Sequence, residues 1–130
     1  LVRRLKDKIR SASKRLTLAD EEGTEDADVV VVSYGITARV AQRAIELARQ
    51  QGLKAGKLRL IAVWPFPEQK IKELAARTSV FVVPELNLGQ ISLEVERAAG
   101  GQARTVPVTH AGGAVHRPED ILHAILEAVR

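Results

Sequence analysis

Three histidines have side chains that could ligate a metal ion or act as general bases. His110, His116 and His123 follow one another at spacings of six and seven residues. Two histidines that share a metal ion on one helix face lie four positions apart. Because neither spacing meets that pattern, we expect these side chains to be structural or solvent-exposed. Glu94 and Glu96 lie two positions apart on a predicted helix and point away from each other, which disfavours an acid/base pair.

Several reactive groups and motifs are missing from the sequence. There is no cysteine, which excludes disulfides, zinc–thiolate sites, cysteine nucleophiles and thiolate-ligated iron–sulfur clusters within this chain. A dinucleotide-binding fingerprint needs three glycines after the first strand, and only Gly35 stands there. The chain also lacks the Gly-rich phosphate loop that ends in Gly-Lys and the Gly-x-Ser-x-Gly nucleophile elbow. We therefore assign it no catalytic, cofactor-binding or metal-binding residue.

The first of three unusual corners is Tyr34-Gly35-Ile36-Thr37, which links a predicted strand to a predicted helix. The free backbone amides of a helix N-terminus can hold an anion or a carboxylate from a partner. The alternative is simple capping of the helix by Thr37 or Ser33. Both interpretations stay open on the sequence alone.

Two more corners follow later strands. Trp64-Pro65-Phe66-Pro67 groups rigid aromatic side chains at a strand end, which suits either a protein interface or a hydrophobic plug over the sheet. The third corner groups polar or flexible residues that either bind a partner or cap the next helix: Glu85, Asn87, Gly89 and Gln90.

The hydrophobic pattern predicts the elements that position these corners. The strand Val29 to Ser33 begins with four successive valines and no polar alternation, so helices must cover both of its faces. A helix of about Thr37 to Gln51 follows, and Gly52 is placed to end it. Three further strands are predicted at Leu58 to Val63, Val80 to Val83 and Thr105 to Val108, and an amphipathic helix follows each of them. The helix after the first of these strands opens at Pro67 with Ile71, Leu74 and Ala75 inward, and the next helix has Ile91, Val95 and Ala98 inward. The last helix opens at Pro118 and has Ile121, Leu122, Ile125 and Val129 on one face. Strands that alternate with helices form a right-handed, mainly parallel α/β sheet.

The beginning of the chain divides into a basic and an acidic block. Residues 1–15 carry seven cations and one acid and are predicted to form a helix. Leu16 to Leu18 could form a short strand, and an acidic linker runs to Glu25. The acidic block, which extends to Asp28, carries six acids and no cation. The two blocks cancel, so a nucleic-acid partner is not favoured despite the net charge of +4.

The apolar runs are strand-sized, shorter than the roughly 20 residues of a membrane span, and no signal peptide opens the chain. We expect a cytoplasmic protein with no membrane partner. The chain does not begin with Met, and we expect it to be an excerpt from a longer polypeptide. We divide it into residues 1–24, with the helix, the possible edge strand and the acidic linker, and an α/β domain at residues 25–130.

Three stretches, taken in order, carry a family resemblance. They are Glu25 to Gly35 with Thr37-Ala38-Arg39, Leu58 to Ile61 with Trp64 to Pro67, and Val82 to Gln90 with Glu94 to Arg97. Together they resemble the C-terminal domain of the alpha subunit of 2-oxoacid:ferredoxin oxidoreductases, over about residues 23–130. The corner with the pattern E-x-N-x-G-Q is most similar to the 2-oxoglutarate branch.

This resemblance implies a transketolase C-terminal-like fold. Such a fold is a three-layer α/β/α sandwich around a mainly parallel five-stranded sheet, with strand order 1-3-2-4-5 and strand 1 antiparallel. Leu16 to Leu18 would be strand 1.

The resemblance also implies a role. Family members use thiamine diphosphate with Mg²⁺ to decarboxylate a 2-oxoacid oxidatively, pass electrons through iron–sulfur clusters to ferredoxin, and transfer the acyl group to coenzyme A. The G-D-G…N motif that holds magnesium diphosphate is absent here, and without cysteine no cluster can be ligated. The resemblance therefore implies a non-catalytic assembly domain that binds no cofactor itself, is inactive alone, and packs against the beta subunit and other domains of such an enzyme.

The corners are the expected contact surface: Tyr34, Gly35, Thr37, Arg39, Trp64, Pro65, Phe66, Glu85, Asn87, Gly89 and Gln90. One alternative is a free-standing flavodoxin-like or receiver-like module that binds a small anion or nucleotide at Gly35. An independent small enzyme is the other.

Overall fold

Strands and helices alternate along residues 19–62, 66–85, 90–109 and 116–129, which are the residues that the computed structural model describes. The strands are β1 (Ala19–Glu22), β2 (Val29–Tyr34), β3 (Ala55–Leu60), β4 (Val80–Glu85) and β5 (Arg104–Thr109). The helices are α1 (Thr37–Gln50), α2 (Glu68–Ala75), α3 (Gln90–Ala99) and α4 (Pro118–Ala128).

The five strands form one sheet in the order β1-β3-β2-β4-β5. β1 runs antiparallel to β3, and the other neighbouring strands are parallel. The predicted strand order and the antiparallel first strand are therefore confirmed.

Two hydrophobic clusters lie on opposite faces of the sheet, and β2 contributes to both. Val30 and Val32 pack with Phe81 under the helices α2 and α3. Val29 and Val31 pack under α1 and α4 on the other face. All four valines are fully buried, and burial of each such side chain contributes about 1.5–3 kcal/mol. The three-layer α/β/α sandwich is confirmed.

The end of α1 and the start of α4 follow the predicted signals. Gly52 has a φ of +85°, a conformation that favours glycine, and the chain leaves α1 there. Pro118 opens α4, where the Asp120 carboxylate accepts a hydrogen bond from the Arg117 amide at 3.2 Å. Of the four residues predicted on one face of this helix, Ile121 and Ile125 are buried and Leu122 is partly buried. Val129 follows the last turn of α4 and is exposed.

Two predicted strands have different bounds in the structure. β3 starts at Ala55 and ends at Leu60, three residues earlier than predicted at each end. Its first residues are small because a loop packs on them: a Cβ at Gly56 would lie 2.8 Å from the carbonyl oxygen of Gly23. β4 continues through Pro84 to Glu85, so Glu85 belongs to the strand rather than to the corner after it.

The edge strand β1 lies within the stretch that the sequence predicts to be an acidic linker. Asp20 and Glu22 lie 3.5 and 3.4 Å from the Lys57 ammonium of the neighbouring strand. Charged side chains are typical of edge strands, because they oppose pairing with further strands. The predicted strand Leu16 to Leu18, the predicted helix of residues 1–15 and Val63 lie outside the described residues.

Glu21 joins this edge strand to helix α2. The Lys70 ammonium donates a hydrogen bond to the Glu21 carboxylate at 2.9 Å, and this hydrogen bond holds the pKa of Glu21 below its usual range. The same contact raises the pKa of Lys70. A carboxyl group whose pKa is lowered in the folded state stabilises that state above its unfolded pKa, and the contribution is lost as the pH falls through the folded pKa.

We expect the Glu21→Gln substitution to lower the free energy of unfolding at pH 7 by less than about 1 kcal/mol, because the pair is partly exposed and screened by salt. The loss should shrink as the pH falls below about 4 and Glu21 becomes protonated in the unsubstituted chain. Urea unfolding of both chains at several pH values measures this. Glu25→Gln, the same change at an exposed neighbouring residue, is the control. A loss that does not depend on pH would contradict the assignment.

Candidate interface at the carboxyl edge of the sheet

The order of the strands reverses beside β2, which has β3 on one side and β4 on the other. The chain leaves β2 through α1, which packs on one face, and leaves β4 through α3, which packs on the other face. The connections that follow β2 and β4 therefore lead away from each other. Ligands and partners of open α/β sheets bind at such a switch point, at the carboxyl ends of the strands.

β2 and β4 stop pairing before they reach this edge. Their ladder runs from Val29 opposite Val80 to Val31 opposite Val82 and ends there. The ladder between β4 and β5 continues to Glu85. Pro84 has no N–H to donate, which fits the early end of the ladder on the β2 side.

At the end of β2, the Thr37 hydroxyl holds the chain as it turns into α1. Its Oγ1 donates a hydrogen bond to the Tyr34 carbonyl at 2.6 Å and accepts one from the Tyr34 amide at 3.3 Å. Gly35 lies between them with a φ of +64°, a conformation that favours glycine. The residue before α1 is Ile36, and no side chain caps the helix there. The predicted capping by Thr37 or Ser33 was therefore wrong: Thr37 is buried and fixes the end of the strand instead.

Large apolar side chains are exposed where β2 and β3 end. Tyr34 is 46% exposed, Ile36 61% and Ile61 57%. Tyr34 pairs with Leu60, so Ile61 follows directly beside it. Sequence analysis missed Ile61 because it placed this residue inside a buried strand; the early end of β3 at Leu60 leaves it outside the sheet.

At the end of β4, the Glu85 carboxylate lies buried at the start of α3. Its side chain is 4% exposed, and Oε1 accepts a hydrogen bond from the Ile91 amide. The second oxygen, Oε2, has no hydrogen-bond partner within the described part of the chain. Of the two interpretations of this corner, capping of the next helix holds for Glu85.

The other predicted contact residues divide by exposure. Arg39 in the first turn of α1 and Gln90 at the start of α3 are exposed. Phe66 is half-buried and packs against the core under α2 and α3, as the hydrophobic-plug interpretation requires. Four of the predicted contact residues lie outside the described residues: Trp64, Pro65, Asn87 and Gly89.

The histidines occupy separate places. The Nε2 atom of His116 lies 2.6 Å from the Val108 carbonyl oxygen, and the side chain is buried. His123 is exposed on α4, and His110 lies outside the described residues. Within the described ranges, no three His, Asp or Glu side chains are grouped as the ligands of a metal ion would be. None of the helices in these ranges combines the length and the apolar character that crossing a membrane requires.

The model of the family "Pyruvate:ferredoxin oxidoreductase core domain II" matches residues 27–121. The chain belongs to this family. It is 43% identical over 130 residues to the 2-oxoglutarate synthase subunit KorA of Methanothermobacter thermautotrophicus, a match that covers 100% of this chain and 35% of that relative. The predicted family is therefore confirmed, and the chain spans about a third of the length of this curated relative.

Solved structures agree with the fold. The 2-oxoglutarate:ferredoxin oxidoreductase from Magnetococcus marinus, with 2-oxoglutarate, coenzyme A and succinyl-CoA bound, matches with a TM-score of 0.80 and 27% identity over 93% of this chain and 21% of that chain. A split-gene transketolase, in an inactive beta4 tetramer, matches with a TM-score of 0.71 and 20% identity over 81% of this chain and 39% of that chain. The transketolase-like fold expected from the resemblance is confirmed.

We expect Glu85→Ala to lower the free energy of unfolding by about 1–3 kcal/mol, because the Ile91 amide loses its hydrogen-bond acceptor. The amide of Ile91 should also exchange its hydrogen faster, as NMR can measure for a single residue. Glu96→Ala on the exposed face of the same helix is the control, and it should leave the exchange at Ile91 unchanged. Equal exchange at Ile91 in all three chains would contradict the capping role of Glu85.

Proposed function

We propose that this chain is the non-catalytic assembly domain of the alpha subunit of a 2-oxoacid:ferredoxin oxidoreductase. The proposed enzyme decarboxylates a 2-oxoacid such as 2-oxoglutarate, reduces ferredoxin and forms the acyl-CoA. The single observation that carries this proposal is the family match over residues 27–121, in a chain that covers 35% of its 2-oxoglutarate synthase relative.

The cofactors of the proposed enzyme belong to other parts of it. Thiamine diphosphate with Mg²⁺ supplies the decarboxylation chemistry, and iron–sulfur clusters carry the electrons. This chain has no cysteine to ligate a cluster. Its histidines and carboxylates are not grouped as a metal site within the described residues. We therefore assign these cofactors to the beta subunit and to the other domains of the complex, which we place in the cytoplasm.

The contribution of this chain is to hold neighbouring domains in place. Catalysis by a cofactor depends on placement of the reacting groups, and errors of about 1 Å can cost a factor of about 100 in rate. A sheet covered on both faces by helices is a rigid support for such placement. In this role the chain contacts neither the 2-oxoacid nor coenzyme A.

The contact surface that we propose is the carboxyl edge of the sheet. Tyr34 and Arg39 present exposed side chains there. Thr37 and Glu85 act from inside, because their hydrogen bonds fix the backbone that carries the exposed residues. The remaining members of the proposed surface are Gly35, Trp64, Pro65, Phe66, Asn87, Gly89 and Gln90.

The proposal can be tested with the complete enzyme and with this chain alone. The purified chain, given 2-oxoglutarate, coenzyme A, thiamine diphosphate, Mg²⁺ and oxidised ferredoxin, should show no turnover and no stoichiometric binding of thiamine diphosphate. An alpha subunit from which residues 25–130 are deleted should fail to form active enzyme. Addition of the separate 130-residue chain should restore part of the activity.

Three results would overturn the assignment. These are turnover by the chain alone, tight binding of flavin, nucleotide or thiamine diphosphate to it, and normal activity of the enzyme without the domain. Binding of flavin or a nucleotide would favour the alternative of a free-standing flavodoxin-like module.

A further inference from the structure

The exposed apolar side chains of this domain are concentrated at one place. Among the described residues, five large apolar side chains are exposed: Tyr34, Ile36, Ile61, Leu93 and Val129. The first three lie together where the adjacent strands β2 and β3 end. Exposed apolar side chains that are grouped at one edge indicate an interaction surface, whereas single ones such as Leu93 need no explanation.

Two arginines lie beside these apolar residues, and neither has an acidic partner in the described part of the chain. Arg59 is exposed on β3, where it pairs with Ser33 of β2. Its side chain lies on the α1 face of the sheet, because the neighbouring Leu58 and Leu60 are buried on the opposite face. Arg39 is exposed in the first turn of α1. Asp20 stands opposite Arg59 in the β1 ladder, but its carboxylate lies 3.5 Å from the Lys57 ammonium. We call Tyr34, Ile36, Arg39, Arg59 and Ile61 the edge patch.

Several cations elsewhere on the surface are ion-paired within the chain. Lys57 lies between two acids of β1, and Lys70 contacts Glu21 and Glu73. The Arg97 guanidinium joins α3 to α2 through Glu68 at 2.5 Å. The edge patch differs from these regions because it combines uncovered apolar area with two arginines that form no ion pair among the described residues.

We propose that the edge patch is the docking surface for an acidic protein surface, one that places carboxylates around an apolar side chain, on another part of the same enzyme. This inference rests on the proposed assembly function and specifies the chemistry of its partner. Tyr and Arg are the residues that most often dominate protein interfaces, with apolar area at the centre and charge at the rim. Carboxylates opposite Arg39 and Arg59 would complement the charge and fix the orientation of the contact.

A second copy of this chain or a small anion fits the patch less well. In a two-fold contact the same patch faces itself, which would place two positively charged patches against each other. A phosphate group could bind the arginines but would leave Ile36 and Ile61 in water. An acidic protein surface with an apolar centre satisfies both features.

A cross-linking experiment on the complete enzyme can identify the partner directly. The Arg39→Lys and Arg59→Lys variants keep the positive charge and introduce a primary amine, which a carbodiimide joins to a carboxylate in direct contact. Mass spectrometry of the digested enzyme should find each amine joined to an Asp or Glu that lies outside this 130-residue chain. Arg43→Lys is the matched control on the same helix, where the native guanidinium lies 3.3 Å from Glu46, so its cross-link should stay within the chain.

Charge reversal tests whether the contact matters. The double variant Arg39→Glu with Arg59→Glu should lower the yield of active enzyme at least tenfold, whereas Arg43→Glu and Leu93→Ser should change it by less than twofold. Circular dichroism of each 130-residue chain checks that it folds, and Ile61→Ser without charge reversal gives a second, independent loss.

The results separate this inference from the proposed function. If neither position 39 nor position 59 cross-links outside the chain while the control cross-link forms, the inference is wrong. Normal activity of the patch variants would also overturn the inference. If deletion of the domain still abolished activity in that case, the proposed assembly function would hold without the docking surface. Cross-links to a second copy of this chain, or loss of the cross-links on addition of coenzyme A or phosphate alone, would assign the patch to those occupants and overturn the inference.

Discussion

Complete burial of β2 is the constraint on which the rest of this structure depends. Its four valines leave no face for water, so helices must pack on both sides of the sheet. The strand can meet this requirement only near the centre of the sheet, with β3 and β4 on either side. That position creates the reversal of strand order, and the reversal sets the end of β2 and its exposed residues at the carboxyl edge. The candidate interface is thus a consequence of the core.

The sequence predicts the elements whose hydrophobic pattern agrees with local signals. β2, α1 and the turn at Gly52 follow from the valine run, the helical spacing and a glycine with positive φ. The pattern misses β1, since three of its four residues are acidic and acidic residues are depleted in strands. The acidic side chains of β1 form ion pairs with Lys57 and Lys70, which lie far away in the sequence.

The candidate site is less predictable from the sequence, because it also depends on residues that lie far apart in the chain. The start of β3 is not recognisable in the sequence, because glycine is unusual within a strand. Gly56 is needed there because a Cβ would collide with the Gly23 carbonyl oxygen of a distant loop. The sequence assigns Glu85 to the third corner, yet in the structure it lies within β4, where pairing with β5 continues through Pro84 to Glu85. The positions of Arg59 and Ile61 at the carboxyl edge follow only from the register of β3 against β2. Each of these features depends on pairing between residues that are remote in the chain, which no local pattern encodes.

The distribution of charge connects the fold to the proposed role. The edge strand and the helices α2 and α3 neutralise one another through ion pairs, many of them exposed and individually weak. The carboxyl edge beside β2 and β3 keeps unbalanced cations and uncovered apolar area. One surface of this domain is covered by internal ion pairs, whereas the other exposes apolar side chains and arginines that a partner could cover. Such a domain is suited to bind one particular neighbour, and it needs no reactive group of its own to affect turnover.

Hydrogen exchange of this sequence within the complete enzyme and as the separate 130-residue chain tests the central claim most directly. The account predicts that amides of residues 34–39 and 59–62 exchange at least tenfold more slowly in the enzyme, because a partner covers the carboxyl edge there. The turn at residues 100–103, at the opposite end of the sheet, serves as the reference. Equal exchange rates at the carboxyl edge in both forms would contradict the account.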